Sequence, residues 1–367
     1  MLYIKRILMI LEVYFHPMSR RRNNAQTVIT VFCTLLQLVY SKSVGDECNF
    51  GNGTKGFCVG IKDCQEAIKL LNVKKTLNVC SYINEYPVVC CNDTKIVATR
   101  GVKSLKYCQE YQIMKLPQTK YVGGGKDCRP KEFPHMAALG FDNNNEIIWG
   151  CGGSLISLKF VLTAAHCLDN LEYGPVKHVR LGDLNLKSDE DDAEVQDFFV
   201  TKTYKHPQYK RPSKYHDIAL VELDRDAKVT DYVKIACLNV IDIPKDNVYI
   251  TIGWGLLSFH GTPANILQKV HVREVNNSAC NSFYEVHQRL YNSGIVESTQ
   301  ICAGEPGKDT CKGDSGGPLQ IRNRNYLKAY DIHGVTSFGK ACLLTNSPGV
   351  YTRVSYYIDW IESIVWP

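Results

Sequence analysis

Gly313-Asp314-Ser315-Gly316-Gly317-Pro318 sets one serine hydroxyl in a glycine-rich loop, and the segments that answer to it decide how the chain folds. A serine hydroxyl is a weak nucleophile. It needs a base to take its proton, a group to orient that base, and donors aimed at the oxygen that becomes negative. Glycines let backbone N–H groups approach a substrate carbonyl closely. Upstream, Thr163-Ala164-Ala165-His166-Cys167 offers the base, a histidine fixed beside a cysteine. His216-Asp217-Ile218-Ala219-Leu220 places an acid at the mouth of an apolar strand. Taken singly, each has an ordinary explanation: a structural histidine, a turn aspartate, a glycine loop. Together, in the order His, Asp, Ser, they form the parts of a nucleophilic triad, His166, Asp217 and Ser315.

Around these segments, runs such as His178-Val179-Arg180-Leu181 and Ile218-Ala219-Leu220-Val221 alternate with Gly, Asn, Asp and Pro turns. That spacing favours an antiparallel barrel or sandwich. From Val354 to Trp366 the period changes: Tyr357, Ile358, Ile361, Ile364 and Val365 fall on one face of an amphipathic helix. Before the barrel region, Cys48 to Cys91 read C-x9-C-x5-C-x15-C-x9-C-C, six cysteines in a segment too short for its own apolar core. Spacing alone leaves fifteen pairings open. Residues 92–120 are polar and lack sustained periodicity, the pattern of a linker.

Sixteen cysteines in 367 residues point to an oxidising compartment, and the absence of paired C-x-x-C ligands argues against zinc sites. Residues 1–43 have the layout of a signal peptide: Arg20 to Arg22 are a positive n-region, Val28 to Tyr40 an apolar run, and Ser41 and Ser43 small residues for cleavage. Met18 makes the cleaner start. The apolar run is short for a membrane anchor. A net charge of +6, with its cations scattered, excludes a nucleic-acid face.

From Tyr121 to Pro367 the chain resembles the chymotrypsin/trypsin family of serine proteases. TAAHC, HDIAL and GDSGGP occur together with Gly253-Trp254-Gly255 and Pro348-Gly349-Val350-Tyr351. The resemblance implies an all-β fold of two six-stranded antiparallel β-barrels with a C-terminal helix. It makes His166 the general base, Asp217 its orienting partner and Ser315 the nucleophile. The N–H groups of Gly313 and Ser315 become the oxyanion hole, and Ser337 stands beside Asp217. Residues 48–91 resemble the clip domain of arthropod proteases, down to the adjacent Cys90-Cys91. That family's pairing is Cys48–Cys90, Cys58–Cys80 and Cys64–Cys91. In the protease region the family pairs Cys151–Cys167, Cys280–Cys302 and Cys311–Cys342. Cys237 then lacks a partner there, and Cys108 lies just before the activation site, so Cys108–Cys237 is the expected tether. Cys128 is left over, as a buried thiol or an intermolecular link.

The family likeness also implies a specificity pocket with Asp309 at its base and Gly339 and Gly349 in its walls. A buried carboxylate there prefers a cation, so cleavage after Arg or Lys is expected. Activation is expected between Lys120 and Tyr121, the new α-amino group pairing with Asp314. Tyr121-Val122-Gly123-Gly124 departs from the family's usual start only at its first, bulkier residue. No cofactor is required. The acidic run around Asp189 to Glu194, with Asp183, makes a structural calcium site a candidate. Sequons at Asn52, Asn92 and Asn276 are candidate glycan sites in a secreted protein. The overall expectation is a secreted zymogen of the snake-like type, in an extracellular (haemolymph-like) cascade serving innate immunity, melanisation or Toll-type signalling. Its partners would be an upstream activating protease, a downstream zymogen and a serpin, with no nucleic acid and no stable membrane anchor. Two rivals are a non-catalytic homologue acting as cofactor, which an intact Ser315 opposes, and a digestive trypsin, which the clip-like module opposes.

Overall fold

The computed structural model describes residues 42, 46–50, 53–61, 64–72, 76–83, 86–92, 101–113, 127–144, 146–188, 190, 193–240, 248–257, 261–305, 313–323, 326, 329–340 and 347–367. The expected signal segment apart from Lys42, together with Asn52, Lys120, Tyr121, Asp189, Asp309 and the Cys311–Cys342 pair, lies outside the described residues.

The N-terminal module has strands β1 (Glu47–Asn49), β2 (Lys55–Gly60), β3 (Val79–Ile83) and β4 (Tyr86–Cys91), with helix α1 (Gln65–Asn72) between β2 and β3. The sheet order is β1-β2-β4-β3. Val59, Ala67, Val88 and Val89 are its buried aliphatic residues, so the half-cystines fill the rest of its interior. Disulfides join Cys48 to Cys90, Cys58 to Cys80 and Cys64 to Cys91. Such cross-links stabilise a module this small chiefly by restricting its unfolded chain.

The linker departs from its sequence expectation. Helix α2 occupies Val102–Ile113. Its apolar residues make no strong stripe, and tertiary contacts hold it in place. Cys108 is bonded to Cys237, and Tyr107 stacks on Trp366 with ring centres 5.0 Å apart. The Ser104 N–H donates to the buried Glu362 carboxylate at 2.6 Å.

The first barrel is built from β5 (Met136–Asn143), β6 (Glu146–Leu155), β7 (Phe160–Thr163), β10 (His178–Leu181), β11 (Gln196–Lys205) and β12 (Ala219–Leu223). A short ribbon, β8 (Asp169–Asn170) with β9 (Gly174–Pro175), interrupts it. The six strands close in the order β10-β11-β12-β7-β6-β5, which leaves no open edge. Leu139, Phe141, Leu155, Val179, Leu181 and Leu220 fill it and are fully buried.

The second barrel comprises β14 (Val248–Gly253), β15 (Gln268–Val275), β16 (Gln300–Gly304), β17 (Pro318–Arg322), β18 (Tyr330–Phe338) and β19 (Gly349–Arg353). Because β18 pairs with both β17 and β19, these six also close; β13 (Cys237–Leu238) adds in parallel to β18. Helix α3 (Asn277–Phe283) follows β15. The chain ends in a 3-10 turn, Val354–Tyr357, and helix α4, Ile358–Val365. The single helix expected over Val354 to Trp366 is thus split, but its apolar face docks as expected: Ile358, Ile361 and Val365 join the first barrel's core. Each such buried side chain contributes roughly 1.5–3 kcal/mol.

Candidate active site

The register of β7 against β12 brings the first two residues together. Thr163 lies opposite Ala219, so the 3-10 turn Ala165–Leu168, with His166, emerges beside His216-Asp217-Ile218. Asp217 is buried, and one carboxylate oxygen accepts the His166 backbone N–H at 2.9 Å. The other lies 2.7 Å from His166 Nδ1 and accepts the Ser337 hydroxyl at 2.5 Å. Burial by itself would raise the pKa of this carboxyl. His166 and these hydrogen bonds outweigh burial and hold it below the ordinary carboxylate value. An ionised Asp217 keeps a proton on Nδ1 and leaves Nε2 the basic nitrogen. The His166 side chain remains a quarter exposed, open to a substrate.

Two supports of Asp217 escaped the sequence reading. The Thr352 hydroxyl donates to the Asp217 carbonyl at 2.8 Å. His216 has φ +56°, a left-handed conformation unfavourable for a side chain of its size, and its Nδ1 lies 3.0 Å from the Tyr357 hydroxyl. The position of Thr352, one residue beyond Pro348-Gly349-Val350-Tyr351, was the one sequence signal for it. The turn at His216 had none.

Ser315 is set between the barrels. Its carbonyl accepts the Gly152 N–H at 2.7 Å, and Cys151, next to Gly152, is bonded to Cys167, the neighbour of His166. On the other side, the Gly316 N–H donates to Thr336, which precedes Ser337. Glycine is required at this crossing: φ is +78° at Gly316, and a Cβ there would lie 2.2 Å from Thr163 Oγ1. Gly313 has φ +105° and leaves no room for a Cβ against Gly255. The Asp314 carboxylate lies over Gly253-Trp254-Gly255 and accepts the Gly255 N–H at 2.9 Å. Gly339 is exposed at the end of β18, and Gly349 is buried at the start of β19, whose partner strand β18 also carries Ser337.

Further sequence candidates sit elsewhere. Disulfide Cys280–Cys302 ties α3 to β16. Cys128 is a buried free thiol in this single chain, pushed up in pKa mainly by burial. Asn92 is exposed after β4. Asn276 is exposed and caps α3, its side-chain oxygen accepting the Ala279 N–H at 2.8 Å, while its amide nitrogen makes no part of that bond. Asp183, one of the expected calcium ligands, has a buried carboxylate that meets Arg180 at 3.2 Å and accepts the Asn185 N–H. Glu194 is exposed. The only clustered metal-ligand groups among the described residues involve half-cystines.

The family model for trypsin matches residues 122–361. The chain belongs to the trypsin family. Among curated trypsin-family relatives, Serine protease snk of Drosophila melanogaster is 37% identical over 340 residues, covering 85% of this chain and 77% of that protein. Phenoloxidase-activating factor 1 of Holotrichia diomphalia is 32% identical over 372 residues, covering 90% and 96%. CLIP domain-containing serine protease B4 of Anopheles gambiae is 31% identical over 360 residues, covering 90% and 95%. This is therefore a clip-domain serine protease of arthropod type, a serine endopeptidase. Like other trypsin-family proteases it needs no cofactor for catalysis.

Proposed function

We propose that the chain is a secreted zymogen which, once cleaved between Lys120 and Tyr121, hydrolyses peptide bonds after Arg or Lys as one step of an extracellular protease cascade. The observation that carries the catalytic part is the Asp217 carboxylate, shared by the Nδ1 and backbone N–H of His166 and by Ser337, with the Ser315 loop pinned alongside. In this reading His166 Nε2 takes the Ser315 hydroxyl proton as Oγ attacks the carbonyl carbon. Negative charge moves to the carbonyl oxygen, where the N–H groups of Gly313 and Ser315 receive it. His166 then returns the proton to the amine as the C–N bond breaks, and water, activated in the same way, hydrolyses the Ser315 ester to release the acid and restore the hydroxyl.

Asp309 at the base of the pocket would select the cation, with Gly339 and Gly349 leaving its walls open. Before cleavage no α-amino group exists to pair with Asp314; afterwards that pair would hold the Ser315 loop. In the uncleaved chain the Asp314 carboxylate rests against Gly253 and Gly255, within the loop such a pair would act on. Secretion is supported by the cystine-rich described fold and by the signal-like residues 1–43, and no helix among the described residues is long and apolar enough to cross a membrane. A cascade role, with an upstream activator, a zymogen substrate and a serpin as partners, rests on relatives that include a phenoloxidase-activating factor and a proclotting enzyme. Occupancy of Asn92 and Asn276 by glycans belongs to the same proposal.

The test is to activate the purified full chain and compare reporter peptides ending in Arg, Lys, Phe and Leu. Turnover is expected after Arg and Lys, and Asp309→Ser should lose most of that preference. Ser315→Ala should keep about 10³- to 10⁴-fold acceleration over water at most. A preference for Phe or Leu, or full activity in Ser315→Ala, would overturn the assignment.

A further inference from the structure

From Lys202 to Lys214 the chain carries Lys202, Lys205, Lys210, Arg211 and Lys214 and no acidic residue. Elsewhere in the first barrel several cations are matched: Lys159 with Glu222, Lys177 with Asp142, Arg180 with Asp197, Arg225 with Asp224. Among the described residues no carboxylate forms an ion pair with any of the five. Uncompensated charge is the usual surface form of a recognition site for the opposite sign.

One of the five stands at the catalytic centre. Arg211 Nη2 donates to the carbonyl of His166 at 2.8 Å and also to the carbonyl of Asp169. An exposed guanidinium is thereby fixed on the backbone of the expected general base. Both of these bonds use one nitrogen, and a guanidinium has five N–H donors in a rigid fork. The segment behind it is also pinned: Ser213 N–H donates to Lys210, Lys214 N–H to Leu290, and Tyr215 hydroxyl to Gly294 at 2.7 Å. Lys214 holds its ammonium 5.7 Å from the centre of the Phe338 ring, next to Ser337. Two anchored cations therefore stand beside these residues, Arg211 on the backbone of His166 and Lys214 on the ring of Phe338.

We infer that Arg211, assisted by Lys214, forms a substrate subsite that takes a carboxylate side chain, Asp or Glu, immediately before the cleaved Arg or Lys. This rests on the Arg/Lys reading above. A residue whose side chain sat between Gly339 and Gly349 would set its N-terminal neighbour beside Phe338 and His166, the residues on which these two cations rest. Because Arg211 is already ordered by the backbone, a carboxylate that pairs with it immobilises little that is not already fixed. The protease would thus read an acidic–basic pair, which a single anionic pocket cannot distinguish from a lone cation.

The experiment uses the activated full chain and reporter peptides ending in Arg, with the preceding residue Asp, Asn, Glu, Gln or Lys. The readout is the ratio of kcat/KM for Asp over Asn and for Glu over Gln. A general loss of activity in a variant cancels from such a ratio, and active-site titration confirms that the variant has folded. The wild type is expected to favour the acids about three- to tenfold, the scale of a partly exposed charge-assisted contact, and less so at high salt. Arg211→Gln should bring the ratios to about one, and Arg211→Glu should turn the preference toward Lys. Wild-type ratios of one or below, or an acid preference that survives Arg211→Glu, would overturn the subsite. Failure to cleave any Arg or Lys peptide would instead overturn the primary specificity, and this inference with it.

Discussion

At Asp217 and His135 the same force, burial of an ionisable group, has opposite consequences. Asp217 lies among donors and stays charged because His166 and Ser337 replace the water it has lost. His135 is just as deeply buried, against the rings of Phe133 and Tyr330, and burial pushes it down to about 4 despite a smaller opposing pull from Gln320. Its neutral form is therefore the native one. Above its ordinary value of 6.5 both folded and unfolded states are neutral there, and stability is full. As pH falls from 6.5 toward 4 the unfolded chain binds a proton that the folded protein refuses, and about 3 kcal/mol is lost across that window. His206 is pushed down to about 4 as well, so wild-type protein sums more than one such group. Denaturant unfolding at pH 7, 5.5 and 4 should show the loss, and His135→Phe should make the profile shallower by about that amount. A slope unchanged in His135→Phe would mean that His135 takes up its proton without unfolding cost.

The Gly253-Trp254-Gly255 segment shows how a strand end controls a catalytic loop. An added Cβ on Gly253 would lie 2.0 Å from Asp314 Oδ1, and one on Gly255 within 2.7 Å of three atoms of that carboxyl group. Gly253 ends β14, hydrogen-bonded on both sides into the barrel, so Asp314 is the partner that must move. Asp314 is one residue from both Gly313 and Ser315, and its displacement would disturb both proposed oxyanion donors. Gly253→Ala is accordingly expected to be cleaved normally at the activation site, to retain its fold by circular dichroism, and to lose at least about 10²-fold in kcat, the effect of losing an oxyanion donor. Wild-type turnover in that variant would show that Asp314 has room the packing denies it.

Across the whole molecule, helix α2 connects the N-terminal module to the barrels. Leu105 packs against the buried half-cystines of that module, while Tyr107, Ser104 and Cys108 engage Trp366, Glu362 and Cys237. The bond Cys108–Cys237 spans 129 residues, and the proposed cleavage site falls inside that span. Cutting there opens the covalent loop without releasing the N-terminal part. On denaturing gels the activated protein should run as one species without reductant and as two with it, whereas activated Cys108→Ser should separate in both. Separation of the wild type without reductant would sink the tether.

Much of this was legible in the sequence because chemistry constrains local residue types tightly. A serine between glycines, a histidine beside a cystine and an aspartate before an apolar strand can be recognised one segment at a time as parts of a candidate triad. Alternating short runs between turns indicated an all-β fold, and the family likeness supplied two barrels and a C-terminal helix; the closed strand orders agree with both. What the tertiary structure alone decided are matters of approach between distant segments. Val102–Ile113 of the polar linker form a helix because Glu362, Trp366 and Cys237 meet them, some 130 to 260 residues away in sequence. Asp183 meets Arg180, a contact that composition leaves open. Arg211 looks like any surface cation until the fold sets it on the carbonyl of His166. Periodicity records which face of a segment is buried; it carries no information about which far segment does the burying, and that is fixed only when the barrels close.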